Sequence, residues 1–144
     1  MGFLKVAPYR NELEKLYDDT DLVLESLSSK YSLGIIANQT DGLVDRLRAW
    51  NILKYFSIVI SSSDYQIMKP DIKLFQIAAQ KSGYNTYEIV MVGDRLDNDI
   101  FPAKKIGMKT IWIKQGFGGM QSPRTDEYLA DIEVSSLKEL VNIL

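Results

Sequence analysis

The stretch Ile89-Val90-Met91-Val92-Gly93-Asp94-Arg95-Leu96-Asp97-Asn98-Asp99-Ile100 decides how this chain is read. Its leading four residues are apolar and mostly β-branched, which is the composition and length of a buried strand. Gly93-Asp94 then breaks the run with turn-forming residues, and Ile100 opens a helical pattern. Carboxylates at 94, 97 and 99 fall within six positions, so their mutual repulsion is large unless a cation stands near. A hard cation such as Mg²⁺ prefers carboxylate oxygen and keeps several of its waters, so one or two acids at a strand end suit it.

Outward from this stretch the pattern repeats. Leu33 to Ala37, Ser57 to Ile60 and Thr110 to Ile113 are short apolar runs of strand length. Between the runs lie residues at helical spacing: Leu43, Leu47 and Trp50, then Ile72, Phe75, Ile77, Ala78 and Ala79, then Ile100, Ala103 and Ile106. Strand and helix therefore alternate, which predicts an α/β fold with a mostly parallel sheet, helices on both faces and right-handed crossovers. Asp71 after Pro70 and Gly107 after Ile106 mark helix ends. Thr20 or Asp21 is expected to cap a helix through Lys30, and Ser135 or Ser136 a short one holding Leu137, Leu140 and Val141. Trp50, Tyr55 and Phe56 read as packing residues, and Trp112 is expected on an outer strand.

The 144 residues, 46% hydrophobic and 25% charged, suit a single domain. Seventeen basic against nineteen acidic side chains give a net charge of -2, which argues against a polyanion-coating protein, and no nucleic-acid partner is expected. The chain has no cysteine and no histidine, so thiolate and imidazole metal sites and Ser-His triads are excluded. Chemistry must run on Asp, Glu, Lys, Ser or Thr. With no apolar run of about 18 residues, no membrane association is expected and a cytoplasmic location is the default.

In an open parallel sheet, groups that act on a ligand sit beyond the carboxyl ends of the strands. Those ends carry Asn38-Gln39-Thr40-Asp41, Met68-Lys69-Pro70 and Gly93-Asp94 through Asp99. Taken singly, each has a plain structural reading: Asn38 as a turn or cap, Lys69 as a solvated lysine, Asp94 and Asp99 as turn and cap. Together, in this order, they resemble the haloacid dehalogenase-like (HAD) superfamily of hydrolases, mainly phosphatases, over residues 17 to 118. Leu33 to Asn38 is similar to the second family motif, although Ala37 stands where the family has a phosphoryl-binding Ser or Thr. Lys69-Pro70 resembles the third motif, and Gly93-Asp94 with Asp99 the acidic fourth.

The resemblance implies a Rossmann-like three-layer sandwich and a Mg²⁺-dependent phosphatase acting on a small phosphorylated metabolite. It implies Lys69 as the catalytic lysine, Asn38 as substrate-binding, and Asp94 and Asp99 as metal ligands. In the family an aspartate attacks phosphorus, Mg²⁺ bridges the two anions, and a second aspartate protonates the leaving oxygen.

The family's first motif, an apolar strand ending in Asp-x-Asp, has no match here. Asp19-Thr20-Asp21 has the letters but no strand before it, Asp97-Asn98-Asp99 belongs to the acidic loop, and Phe3 to Val6 is followed by no carboxylate. Residues 1–16 resemble the remnant of a cap helix, with 1–144 one core domain. The expectation is a truncated or degenerate chain, inactive alone, with weak or absent Mg²⁺ occupancy; the alternative is a non-catalytic HAD-like binding module. The family's first strand is central, so its place is expected to be filled by direct pairing of the strands at 33–37 and 89–92, by Phe3 to Val6, or by a partner segment or second copy in a homo-oligomer.

Overall fold

The computed structural model describes residues 15–144. The chain begins with α1 (Thr20–Ser28), β1 (Leu33–Ala37) and α2 (Leu43–Ala49), followed by β2 (Phe56–Ser61), α3 (Ser62–Tyr65) and α4 (Ile72–Ser82). After β3 (Val90–Gly93) come α5 (Phe101–Lys105), β4 (Lys109–Ile113), β5 (Ile132–Val134) and α6 (Leu140–Ile143). Every strand pairing is parallel, as the alternation of strand and helix requires.

Local signals set the ends of α4. The Asp71 carboxylate accepts from the Lys73 N–H at 2.9 Å, and Gly83 leaves the helix at φ 78°, a conformation that favours glycine. Gly107, at φ 89°, makes the turn from α5 into β4.

The strands bury different side chains on their two faces because successive residues point oppositely. Val92 joins Val23, Leu27, Ile113 and Leu140 under α1 and α6. Its neighbour Met91 joins Phe75, Ala79, Ala103 and Met108 under α4 and α5. Trp50, Tyr55 and Phe56 pack around Leu43, Leu47 and Ile52, as their sequence setting suggests.

Besides the first helix, where Thr20 and Asp21 lie inside α1 with Asp19 at its N-cap and Ser28 its last residue, two expectations are corrected. Trp112 is not on an outer strand: β4 lies between β3 and β5, and Trp112 is 2% exposed. Ile132–Val134 is too short to announce itself by pattern, but it pairs along Ile111 to Ile113, and its entry is tied by Asp131, whose carboxylate accepts from the Thr110 N–H and hydroxyl at 2.8 and 3.0 Å. The second correction concerns the centre of the sheet. β1 pairs with β2, and β3 with β4 and β5, but β1 and β3 do not pair with each other. α1 packs against Leu33 and Val92 on one face, and α4 against Ile36 and Met91 on the other, so the helices bridge the two strands without the edges meeting. A cavity of about 640 Å³ lies between the edges, lined by residues of both strands. Phe3 to Val6 and the cap remnant ending at residue 16 fall largely outside the described residues.

Candidate active site

The carboxyl ends of β1 and β3 open on one rim of the sheet. β1 runs into Asn38, whose side-chain amide is engaged at both atoms by the main chain of Lys69. The Lys69 N–H donates to Asn38 Oδ1 at 2.7 Å, and Asn38 Nδ2 donates to the Lys69 carbonyl at 3.0 Å. This two-point clasp fixes the turn before α4, whose Lys69-Pro70 peptide is cis. From that turn the lysine side chain reaches across the rim, and Nζ donates to Asp99 Oδ1 at 2.5 Å.

Asp99 is held from the other side as well. Its second oxygen, Oδ2, accepts from the Arg95 N–H at 3.1 Å, and the residue is 3% exposed. Residues Leu96–Ile100 form a π-helical turn, in which the Ile100 N–H reaches the Arg95 carbonyl five residues back. Such wide turns recur at functional sites; here it brings Asp99 over the end of β3. Gly93 is required there, because a Cβ on it would lie 2.3 Å from Asp99 Cβ and 2.6 Å from Oδ2.

The three acids of the loop meet three different environments. Asp97 accepts from Arg95 Nε at 3.0 Å and from its Nη2 at 2.7 Å, with Gln121 Nε2 adding a third bond at 3.0 Å. Burial pushes its carboxyl upward, but these hydrogen bonds and the Arg95 charge outweigh that and hold it at about 2. Asp99 has Lys69. Asp94 has no such side-chain partner; burial first, and the nearby Asp99 charge second, raise its carboxyl above the usual range, while a hydrogen bond from its own main-chain N–H and the charges of Lys69 and Arg95 partly offset this. Asp94 lines the cavity between β1 and β3.

This donor set fits a hard cation. Asp94 supplies an oxygen whose charge no described side chain pairs directly, whereas both Asp99 oxygens are already occupied by Lys69 and Arg95. Among the described residues no group of three or more Asp, Glu, His or Cys side chains converges on one point, so a cation held here would keep most of its own waters.

The structure thus brings all four residues singled out in the sequence to one rim: Asn38, Lys69 and Asp99 in a continuous chain of hydrogen bonds, and Asp94 within electrostatic reach of the last two. It also places there residues that sequence reading passed over. Trp112 Nε1 donates to the Asp94 carbonyl at 3.0 Å, and Gln121 Oε1 accepts from the Leu96 N–H at 2.8 Å. Gly118 lies so close to the Asp94 carbonyl that a Cβ would come within 2.2 Å of it. Gly118, within the glycine-rich segment 116–119, is therefore part of the wall of the site. Only the cluster of glycines hinted at this in the sequence.

With the site in view, comparison with known proteins is decisive. A sequence profile of haloacid dehalogenase-like hydrolases matches residues 5–113. The chain belongs to this HAD-like hydrolase family. Among its relatives, glyceraldehyde 3-phosphate phosphatase of Methanocaldococcus jannaschii is 35% identical over 98% of this chain and 59% of its own length. Phosphoserine phosphatase of Thermus thermophilus is 28% identical over 87% of this chain and 49% of its own. The crystal structure of a HAD phosphatase from Thermococcus onnurineus superposes with a TM-score of 0.78 at 34% identity, covering 90% of this chain and 58% of that one. The HAD chain thus spans about half to three fifths of the length of these relatives. No helix among its described residues is long and apolar enough to cross a membrane.

Proposed function

We propose that this HAD-like chain is the core of a Mg²⁺-dependent, cytoplasmic phosphatase of small phosphorylated metabolites, and that residues 1–144 by themselves bind phosphate without turning it over. The observation that carries the reading is the Lys69 ammonium held at the rim by Asp99 and by the Asn38 clasp. A phosphoryl dianion arriving at that rim meets a cation already oriented and partly stripped of water, which is where such a charge stabilises equatorial oxygens most.

In this reading Asn38 bounds the phosphate pocket and keeps Lys69 in place. Asp94, with Asp99 behind it, holds Mg²⁺, and the ion when bound would neutralise phosphoryl charge. Gly118 and Trp112 fix the Asp94 main chain, so the carboxylate points from a rigid base. No described carboxylate stands opposite Lys69 as a nucleophile, and without one the remaining groups position and stabilise but do not attack. Substrate class follows the relatives named for glyceraldehyde 3-phosphate and phosphoserine. Ala37 favours a second reading, a non-catalytic phosphate-binding module, since its methyl offers no hydroxyl at the end of β1.

Phosphorus NMR of glyceraldehyde 3-phosphate and phosphoserine, titrated with the chain, tests this together with a colorimetric assay for released phosphate. Mg²⁺-dependent line broadening is expected, lost in Lys69→Met and in Asp94→Asn, with no phosphate released. Release that vanishes in Asp94→Asn would make the chain an enzyme unaided. Absence of both binding and release would end the phosphate reading.

A further inference from the structure

We propose that Ser62 is a positioning residue of the candidate site's rim: its hydroxyl grips the Gln39 main chain and thereby holds the Asn38 amide where it clasps Lys69. The consequence for phosphate rests on the phosphatase reading; the grip itself does not.

Three serines, Ser61 to Ser63, stand where β2 passes into α3. A serine at a helix start ordinarily turns its hydroxyl onto its own first turn. Here Ser61 is the N-cap of α3 and makes no side-chain cap bond. The hydroxyls serve the exit of β1 instead. Ser62 Oγ accepts from the Gln39 N–H at 3.1 Å and donates to the Gln39 carbonyl at 3.2 Å. Behind it Ser61, 2% exposed and level with Ala37 in the strand register, reaches the same carbonyl at 3.5 Å and the Ser63 hydroxyl at 3.0 Å. Both polar groups of the Gln39 main chain are thus met by one hydroxyl.

The neighbours on either side give this grip its consequence. Asn38, one residue before Gln39, is engaged at both ends of its amide by the Lys69 main chain. Ser62 and Lys69 are the two ends of one excursion from the sheet, and both close on the step Asn38-Gln39. Between them the excursion is pinned: Tyr65 and Ile67 pack on Ile60, Leu74 and Ala78, and Gln66, at φ 56°, donates from Nε2 to the Ser63 carbonyl at 2.7 Å. Held at one point, the step Asn38-Gln39 swivels. Held at two, it presents Asn38 in one orientation, which is the preorganisation a charge-stabilising site requires. Ser62 itself has no proton left for a ligand, because its one donor is spent on the Gln39 carbonyl. It acts through Asn38 and Lys69.

The test compares Ser62→Ala, Ser62→Thr and Ser82→Ala with the wild-type chain by two measurements. One is water exchange of the Lys69 N–H and the Asn38 side-chain amide, read by NMR without ligand; the other is affinity for inorganic phosphate with Mg²⁺, read by calorimetry. Ser82 is the structural control. At the end of α4 away from Lys69, its hydroxyl makes two bonds of the same kind, donating to the Ala79 carbonyl at 2.7 Å and accepting from the Tyr84 N–H at 3.2 Å. Ser62→Ala should speed exchange of both groups at least about tenfold and weaken phosphate binding about three- to tenfold. Ser62→Thr keeps the hydroxyl and should restore both, and Ser82→Ala should lower Tm alone. Unchanged exchange in Ser62→Ala, failure of threonine to restore it, or the same loss in Ser82→Ala overturns the proposal. Should Ser62→Ala not fold, Ser62→Cys, whose thiol is a weak donor and acceptor, should show the same loss in smaller measure, and no loss there overturns it equally. A wild-type chain that binds no phosphate would end the phosphatase reading, and exchange alone would then decide whether Ser62 holds the clasp.

Discussion

Replacing Lys69 by methionine keeps an apolar stem of similar length up to Cε and removes the ammonium group with its charge and donors. Asp99 is then left with its hydrogen bond from the Arg95 main-chain N–H at 3.1 Å and no cation bonded to it, only the Arg95 charge at a distance, with its side chain 5% exposed. Breaking a buried pair from one side costs about 3–5 kcal/mol because the remaining charge is desolvated and unpaired. Lys69 is itself 13% exposed and Asp99 keeps one amide donor, so the lower end, about 3 kcal/mol, is expected. For a domain of this size that is about 6–12 °C in Tm, and about 2 M in urea midpoint at a slope near 1.5 kcal/mol/M. Asp99→Asn in the wild-type background should cost less, about 1 kcal/mol, since the lysine stem can turn its ammonium to water. The double variant closes a cycle whose coupling should be about 2 kcal/mol. A Lys69→Met cost under about 1 kcal/mol, with coupling near zero, would show a solvated surface pair and would remove the claim that the rim holds a preset, partly dehydrated cation.

Other outcomes follow from the same loop. Gly93→Ala should lower stability by about 1–3 kcal/mol and abolish the coupling between Lys69 and Asp99, because the new methyl displaces the Asp99 carboxylate; an unaltered Tm would refute the close approach. Asp97, held at about 2 when folded against about 3.9 unfolded, stabilises the chain above the higher value and ceases to do so as pH falls through the lower one. Allowing for solvent at this partly exposed group, about 1–2 kcal/mol should disappear between pH 4 and 2, and acid titration of Asp97→Asn should lack that limb. Asp94 has the opposite sign. Its raised carboxyl means that ionisation at neutral pH costs stability, so Asp94→Asn should melt slightly higher at pH 7 while losing Mg²⁺ affinity by calorimetry; a lower Tm would refute the direction of that shift.

Much of the fold was legible because its signals are local. The run from Ile89 to Val92 has the length and β-branched content of a strand, although Val90 is exposed, Asp71 caps the helix that follows it, and Gly107 ends one, all within a few residues. β5 was not legible: three residues carry no period, and what places them is Asp131 bonding to Thr110, 21 positions away. The misplacement of Trp112 follows from the same omission.

The sequence by itself determined which residue types meet at the strand ends, because Asn38, Lys69, Asp94 and Asp99 each occupy a carboxyl end of a strand or its following turn, and parallel topology sends those ends to one rim. It could not say how the charges divide. That Asp99 pairs with Lys69, Asp97 with Arg95 and Gln121, and Asp94 with none was decided by a π-helical turn, a glycine with no Cβ and a loop returning from residues 118–121, contacts spanning 2 to 30 positions. Nor could it show that β1 and β3 stand apart, since whether two strand edges meet depends on the helices packed above and below them, which only the assembled core brings together.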